Sequence, residues 1–400
     1  MLTAANTTDL PAAPGLPAPR KTRRAFIDLA RGFAVLCMVE HHSFDAWMPD
    51  SFHGSELDHF LRFLGGVAAP AFLFLAGVAM VLMMEGALQK TGSVRAAALG
   101  AAKRGLWIFI GAYLFRVQEW ALAFGASPAA TMLRIDVLNC IGLALVFTAL
   151  VWSLGKSRIA RAVLFFIAAA AVVLVSPLIW ASPLTGLPPL LFNYVRGSPP
   201  MALFPIFPWV AYSFAGALVG LHLAHTRACA NPARAERNAL ALWLFLATPA
   251  WFFVNFIDAL PFHLYAGGLE WWRTSPAYFL LRCISMIWLL AASWLLEQAW
   301  QPVRSKMNWK RPGPLVAMGQ HSLVIYWVHI EIVYGRLTWP WRGKMTLPQA
   351  SRCLALLFVA MIALAYFVDP ATDALLLGLR KAWSRWSARE SPERVADLAP

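Results

Sequence analysis

One apolar stretch, residues 26–48, carries six ionisable side chains: Asp28, Arg31, Glu40, His41, His42 and Asp45. Groups of this kind inside a membrane-length span are costly, so each is a functional candidate. Histidine can supply a general base or a nucleophile, arginine can hold an anion, and a carboxylate can orient either. At 100° per residue, the step from Arg31 to His42 returns to within about 20° of three full turns. Asp28 and Asp45 fall about 40° and 60° to either side of His42, so these four share one stripe about 100° wide. Glu40 lies about 160° and His41 about 100° from His42, and spacing therefore selects His42 over His41.

Depth adds a second coordinate. Counted from Phe26 at helical rise, Arg31 lies about 8 Å into the span and His42 about 24 Å, in its outer third. A cation near one face and a histidine near the other suit a long anionic donor threaded from within. The bland alternative is that Arg31 snorkels to the interface, Asp28 pairs with it and His42 binds a neighbouring carbonyl.

Other apolar runs bring polar groups to the same depth. Tyr326 and His329 sit in the stretch 314–335, with His329 about 22 Å from Pro314. Arg116 and Glu119 are one turn apart, Arg134 and Asp136 open another run, and Arg282 lies near the outer end of a third. Each alone reads equally well as an ion pair that fixes packing; together they point to a polar cavity in the outer half. In the first outer loop, His53 and His59 accompany Asp50, Glu56 and Asp58, and His53 is a reserve catalytic candidate. His222 and His225 lack a carboxylate or Cys to complete a metal set, so no metal is expected. Neither a nucleotide-binding Gly loop nor a GxSxG elbow is present.

The elements that must position these residues are membrane helices. Hydrophobic residues make up 60% of the 400-residue chain and charged ones only 14%, and the apolar residues come in runs of bilayer length. Nineteen Trp fit headgroup boundaries. The fold class is thus an all-α polytopic bundle of about ten transmembrane helices, near 26–48, 60–84, 104–124, 136–154, 159–180, 201–225, 239–258, 277–297, 314–335 and 351–368. The net charge of +14 is not a nucleic-acid footprint, because the basic residues alternate between connections. Of 34 Lys and Arg, 23 fall in the presumed inner segments, 6 in the outer ones and 5 within the runs. By the positive-inside rule both termini are cytoplasmic, in an inner (plasma) membrane.

Residues 1–25 read as a disordered cytoplasmic arm rather than a cleavable signal, 26–369 as the transmembrane domain, and 370–400 as an amphipathic helix and tail on the cytoplasmic surface. The segment 181–200 is an outer loop with Pro-set turns that could hold a short re-entrant piece. Gly216 and Gly220 form a GxxxG that permits close helix packing. The five dispersed Cys read as packing residues.

Several segments resemble the heparan-α-glucosaminide N-acetyltransferase catalytic-domain family and its bacterial relatives. These are RRAFIDLARGFAVLCMVEHHSFDAWM followed by AAPAFLFLAGVAMVL, then RIDVLNCIGLAL at 134–145, FPWVAYSFAGALVG at 207–220 and GQHSLVIYWVHIEI at 319–332. The shared first-helix pattern is a D-x-x-RG step and a late His with an Asp three residues on, here Asp28, Arg31-Gly32, His42 and Asp45. The Arg31-x10-His42 spacing is also similar to a motif of the broader membrane acyltransferase-three family. The resemblance implies transfer of an acyl group, usually acetyl from acetyl-CoA, across the membrane to an outer sugar or glycan. It makes His42 catalytic and Arg31 donor-binding. The family's animal lysosomal enzymes place their catalytic His in the first luminal loop, where only His53 or His59 could correspond, so that choice stays open.

The expectation is a membrane acyltransferase. Arg31 and Asp28 would serve the acyl-CoA donor, His42 oriented by Asp45 would carry the chemistry, and Arg116, Glu119, Arg282 and His329 would line the acceptor side. The expected partners are membrane lipid, acyl-CoA and a glycan or small-molecule acceptor, with no nucleic acid. A proton- or ion-coupled transporter is the rival, because charged stripes also serve proton relays. Neither an inverted repeat nor a pair of broken helices is evident to favour it.

Overall fold

The computed structural model of the chain describes residues 23–125, 127–197, 199–254, 256, 274–308 and 311–389, with backbone alone at 371 and from 373 onward. Thirteen α-helices occupy the described residues: α1 (Ala25–Trp47), α2 (Glu56–Gly65), α3 (Ala68–Thr91), α4 (Val94–Leu122), α5 (Val137–Leu154), α6 (Arg158–Ala181), α7 (Pro189–Val195), α8 (Ile206–Thr226), α9 (Pro232–Phe252), α10 (Pro276–Lys306), α11 (Pro314–Gln320), α12 (Ser322–Tyr334) and α13 (Leu347–Arg389). The all-helical expectation holds. Among the described residues, six segments are long and apolar enough to cross a membrane: Glu56–Thr91, Val137–Leu154, Arg158–Ala181, Ile206–Thr226, Pro276–Lys306 and Leu347–Pro370. The helices outside that set are mostly the ones bearing charge, with Asp28, Arg31, Glu40 and Asp45 on α1 and Arg104, Arg116 and Glu119 on α4.

Two expected single helices are divided. The run at 60–84 is preceded by the separate outer helix α2, capped by the Ser55 hydroxyl on the Asp58 N–H. The run at 314–335 breaks at His321 into α11 and α12. At the C-terminal end the backbone stays helical through Pro370 to Arg389, so no break in secondary structure marks 369/370. Residues 1–22 of the expected arm, residues 257–273 and the last residues, 390–400, lie outside the described residues.

Helix α1 sits at the centre, packed against α11, α10, α12 and α3. Its first turn is anchored: the Glu297 carboxylate accepts from the Phe26 N–H at 2.7 Å, satisfying a donor that a helix start leaves unpaired. The Arg24 guanidinium donates to the Leu223 carbonyl at 2.8 Å and the Thr226 hydroxyl at 2.7 Å. Glycine lets α1 and α11 touch backbone to backbone. A Cβ at Gly32 would collide with the Leu315 carbonyl, and one at Gly319 with the Asp28 carbonyl. The expected GxxxG contact is made by α8 on α3, where Gly216 lies on the Phe74 carbonyl and Gly220 on that of Val78.

Candidate active site

Close packing of α1 on α11 and α12 brings the two ends of the chain together around the stripe. At its inner end Asp28, 3% exposed, accepts from Arg31 at 3.0 Å and from Arg23 at 3.0 Å. Arg31 also reaches the Gly319 carbonyl at 3.3 Å, and the Gln320 amide lies 3.5 Å from Asp28. The Arg31–Asp28 pairing that the bland alternative anticipated is present, and it includes a second arginine that spacing on α1 did not reveal.

At the outer end His42 meets His329, which is fully buried. His42 Nδ1 and His329 Nε2 are 2.9 Å apart, and the two rings are parallel within 2° at a centroid separation of 5.2 Å. His329 Nδ1 lies 2.8 Å from the Ile325 carbonyl, which can only accept. That bond assigns the proton of neutral His329 to Nδ1 and leaves its Nε2 as an acceptor. His42 must then donate through Nδ1, so its own Nε2 carries the unshared pair. A chain of two hydrogen bonds therefore fixes the tautomer of His42 that a base or nucleophile needs.

Asp45 does not fill its expected role of orienting His42. It is exposed and accepts from the Tyr334 hydroxyl at 3.0 Å, with Arg62 3.7 Å away. The Tyr334 ring stands edge-on to His42 at 5.7 Å. The orienting partner of His42 is His329, and Asp45 reaches the site only through Tyr334. His41 packs instead against Gly65, where a Cβ would lie 2.7 Å from its Nδ1. In the outer loop, His53 accepts from Arg62 at 3.0 Å, and Arg62 also binds Asp58 at 2.8 Å. His53 Nδ1 is thus engaged by a cation, and Arg62 links that cluster to Asp45.

Behind the histidines lies a second buried network. Arg116, 7% exposed, pairs with Glu119 and donates to Asp136 at 2.7 Å. Asp136 also accepts from the Tyr326 hydroxyl at 3.2 Å and caps α5 through the Leu138 N–H at 3.0 Å. The Tyr326 and His329 rings are 5.8 Å apart. Arg282 is placed elsewhere. It is 1% exposed and clasps the α2–α3 junction, donating to the Tyr278 hydroxyl at 2.9 Å and the Phe63 carbonyl at 3.3 Å. It lines neither of the cavities described next, so the expected acceptor role finds no support in its contacts.

Two cavities approach the histidine pair. The first, about 320 Å³, has Arg23, Arg31 and Arg104 in its lining together with an apolar sleeve that includes Phe72, Met80, Leu138 and Ile141. Across the α11–α12 break its wall runs from Gln320, near Asp28, to Tyr326, one turn before His329. The second, about 490 Å³, is lined by Glu119, Phe124, Glu331, Tyr334, Arg336, Trp339 and Arg342. Tyr326 and Tyr334 are eight residues apart on one helix, about 12 Å at helical rise, and His329 lies between them. Neither histidine is in either lining; on α12, His329 lies between the Tyr326 of the first lining and the Ile330 and Tyr334 of the second. Arg104, Tyr334 and the 336–342 segment went unremarked in the sequence; Tyr334 follows His329 by five residues, and nothing in that spacing ties it to Asp45.

A polytopic helical membrane protein whose charged groups are turned inward onto a paired histidine centre is the class that these features define. Residues 23–255 match the family described as "Heparan-alpha-glucosaminide N-acetyltransferase, catalytic". The chain belongs to this family of transmembrane N-acetyltransferases, as its opening motifs led us to expect. No curated protein matches it. The matched region covers α1 to α9, whereas Arg282, His329, Tyr334 and the 336–342 segment fall beyond it.

Proposed function

We propose that this protein transfers an acyl group, most simply acetyl, from cytoplasmic acyl-CoA to a sugar or glycan acceptor on the outer face of a bacterial inner membrane. The carrying observation is the hydrogen-bonded His42–His329 pair, with cavity-lining residues on α12 to either side of His329 and a cluster of arginines in the lining of one cavity. The six apolar segments, together with α1, α4, α9 and the broken α11–α12 pair, make the ten crossings of this reading. The charge asymmetry of the connections puts both termini on the cytoplasmic side.

In this scheme the donor enters the first cavity with its phosphates on Arg31, Arg23 and Arg104. The narrow apolar sleeve suits a pantetheine arm, and Arg31 to His42 spans about 16 Å at helical rise. Asp28 holds Arg31 in place. His42 Nε2, which carries the unshared pair, takes the proton of an acceptor hydroxyl or amine as that heteroatom attacks the thioester carbonyl. The carbon–sulfur bond breaks, and the departing thiolate takes the proton from His42. His329 accepts from Nδ1 throughout and stabilises the transient imidazolium.

Labelled acetyl-CoA supplied to the purified protein tests the reading. Release of free acetate, transfer to an added saccharide or labelling of the protein supports it, and label retained on the protein would make His42 a nucleophile rather than a base. A protein that leaves acetyl-CoA untouched under all three assays, yet moves protons or ions in vesicles, is the transporter instead.

A further inference from the structure

The second cavity contains cationic hydrogen-bonding capacity that the protein leaves unused. Its two carboxylates are engaged, Glu119 by Arg116 and Glu331 by the Gln118 amide at 2.8 Å. The arginines are not fully so. Arg342 gives one N–H to the Gly335 carbonyl at 3.1 Å, while its Nε is buried with no partner among the described residues. A buried donor left without a partner is destabilising, and an incoming acceptor removes that penalty. Partial burial lowers the Arg342 pKa from the ordinary arginine value, against the opposing pull of Tyr334 and Glu119. Arg336, on the same wall, is held by the Ala123 carbonyl at 2.6 Å and stacks over Phe124 at 4.8 Å. Between them Trp339 turns a ring that is 58% exposed toward the same space.

This wall is rigidly tied to the histidines. The Gly343 N–H donates to the Ala46 carbonyl at 3.1 Å and the Met345 N–H to the Trp47 carbonyl at 3.0 Å. The turn carrying Arg342 is thereby docked on the last turn of α1, just beyond His42. A two-donor guanidinium pair fits carboxylate or phosphate oxygens, and an exposed indole offers a face to the apolar side of a sugar ring. The cavity volume falls within the range of small-ligand sites.

We propose that the second cavity is the acceptor site and that it takes a saccharide unit bearing an anionic substituent, a carboxylate or a phosphate, with the anion on Arg342 and Arg336 and the ring on Trp339. This deepens the acyl-transfer reading, on which it rests, by naming the acceptor chemistry. The residues responsible lie outside the family-matched region, so the specificity belongs to this chain's own C-terminal part.

The test is equilibrium binding of methyl glucoside, methyl glucuronide and glucose 6-phosphate to the full-length protein in lipid nanodiscs, read by ligand-detected NMR. The expected result is that at least one anionic probe binds about tenfold or more tighter than methyl glucoside, the scale of one charge-assisted contact, and the tighter of the two identifies the anion. Arg342→Gln should remove that preference and Arg342→Lys should retain part of it. Trp339→Ala should weaken all three probes together. Equal binding of the three probes, or a preference that survives Arg342→Gln and Arg336→Gln combined, overturns the proposal. Anion-selective binding in a protein that leaves acetyl-CoA unconsumed would sustain the site and overturn only the transfer reading.

Discussion

The imidazole of His42 lies parallel to that of His329, 2° between planes, with Nδ1 of the first 2.9 Å from Nε2 of the second. Because His329 spends its own N–H on the Ile325 carbonyl, the direction of the inter-histidine bond is set by chemistry rather than chosen by solvent. The reactive nitrogen of His42 follows from a carbonyl one turn back on another helix.

His42 should therefore be indispensable and His41 should not. His42→Ala is expected to lose at least about two orders of magnitude in acetyl transfer, the usual scale of general acid–base catalysis. His41→Ala, in which only the packing on Gly65 changes, should keep most of its rate. Initial-rate assays on folded protein decide it, and a dead His53→Ala beside an active His42→Ala would move the centre into the outer loop.

His329 acts through His42, as a positioning residue. His329→Met should lower kcat by about tenfold or more while leaving KM for acetyl-CoA near its original value, because the donor cavity is not touched. His329→Gln, whose amide oxygen can accept from Nδ1, should recover part of the loss. If the two variants match in kcat, hydrogen bonding to His42 is not what this position supplies.

In the proposed scheme Arg31 belongs to the donor end. Arg31→Ala should raise KM for acetyl-CoA several-fold or more and also free Asp28 from one of its two arginines. Titration of the protein with desulfo-CoA, which carries the phosphates without the thiol, should show the weakening directly. Unchanged affinity in a monodisperse preparation removes Arg31 from the donor site.

Arg282 offers a control in which stability and activity separate. Arg282→Met removes its bonds to the Phe63 carbonyl and the Tyr278 hydroxyl, at about 1.5–3 kcal/mol for a hydrogen bond to a charged group. The variant should unfold at lower temperature in detergent, yet keep its acceptor KM at a temperature where it is folded. A raised acceptor KM would restore the role that depth alone suggested for it.

The orientation is open to a simple check. Reporters that become active only outside the cytoplasm should stay silent when fused at either end of the chain. A signal from one end breaks the ten-crossing topology.

Angular spacing on α1 was enough to put Arg31, Asp28 and His42 on one face and His41 on another, since all four lie on a single helix. Matching depth is what brought His329, on a different helix, into view. What a helix faces is a different question, because periodicity defines a face without naming its neighbour. Arg282 shares the outer depth but turns toward the α2–α3 junction, and Asp45 finds Tyr334 instead of the histidine one turn before it. The breaks at Gly65–Ala68 and at His321 were also invisible to hydropathy, which runs on through both.

The two histidines are separated by 287 positions in the chain. Synthesis makes α1 long before α12, so His42 exists without its partner until α12 follows. A nascent chain can thus hold Arg31 and Arg104 without the bond that fixes the tautomer of His42. In the proposed scheme the centre is finished by the packing of a late helix on an early one, so assembly of the bundle is itself the step that arms it.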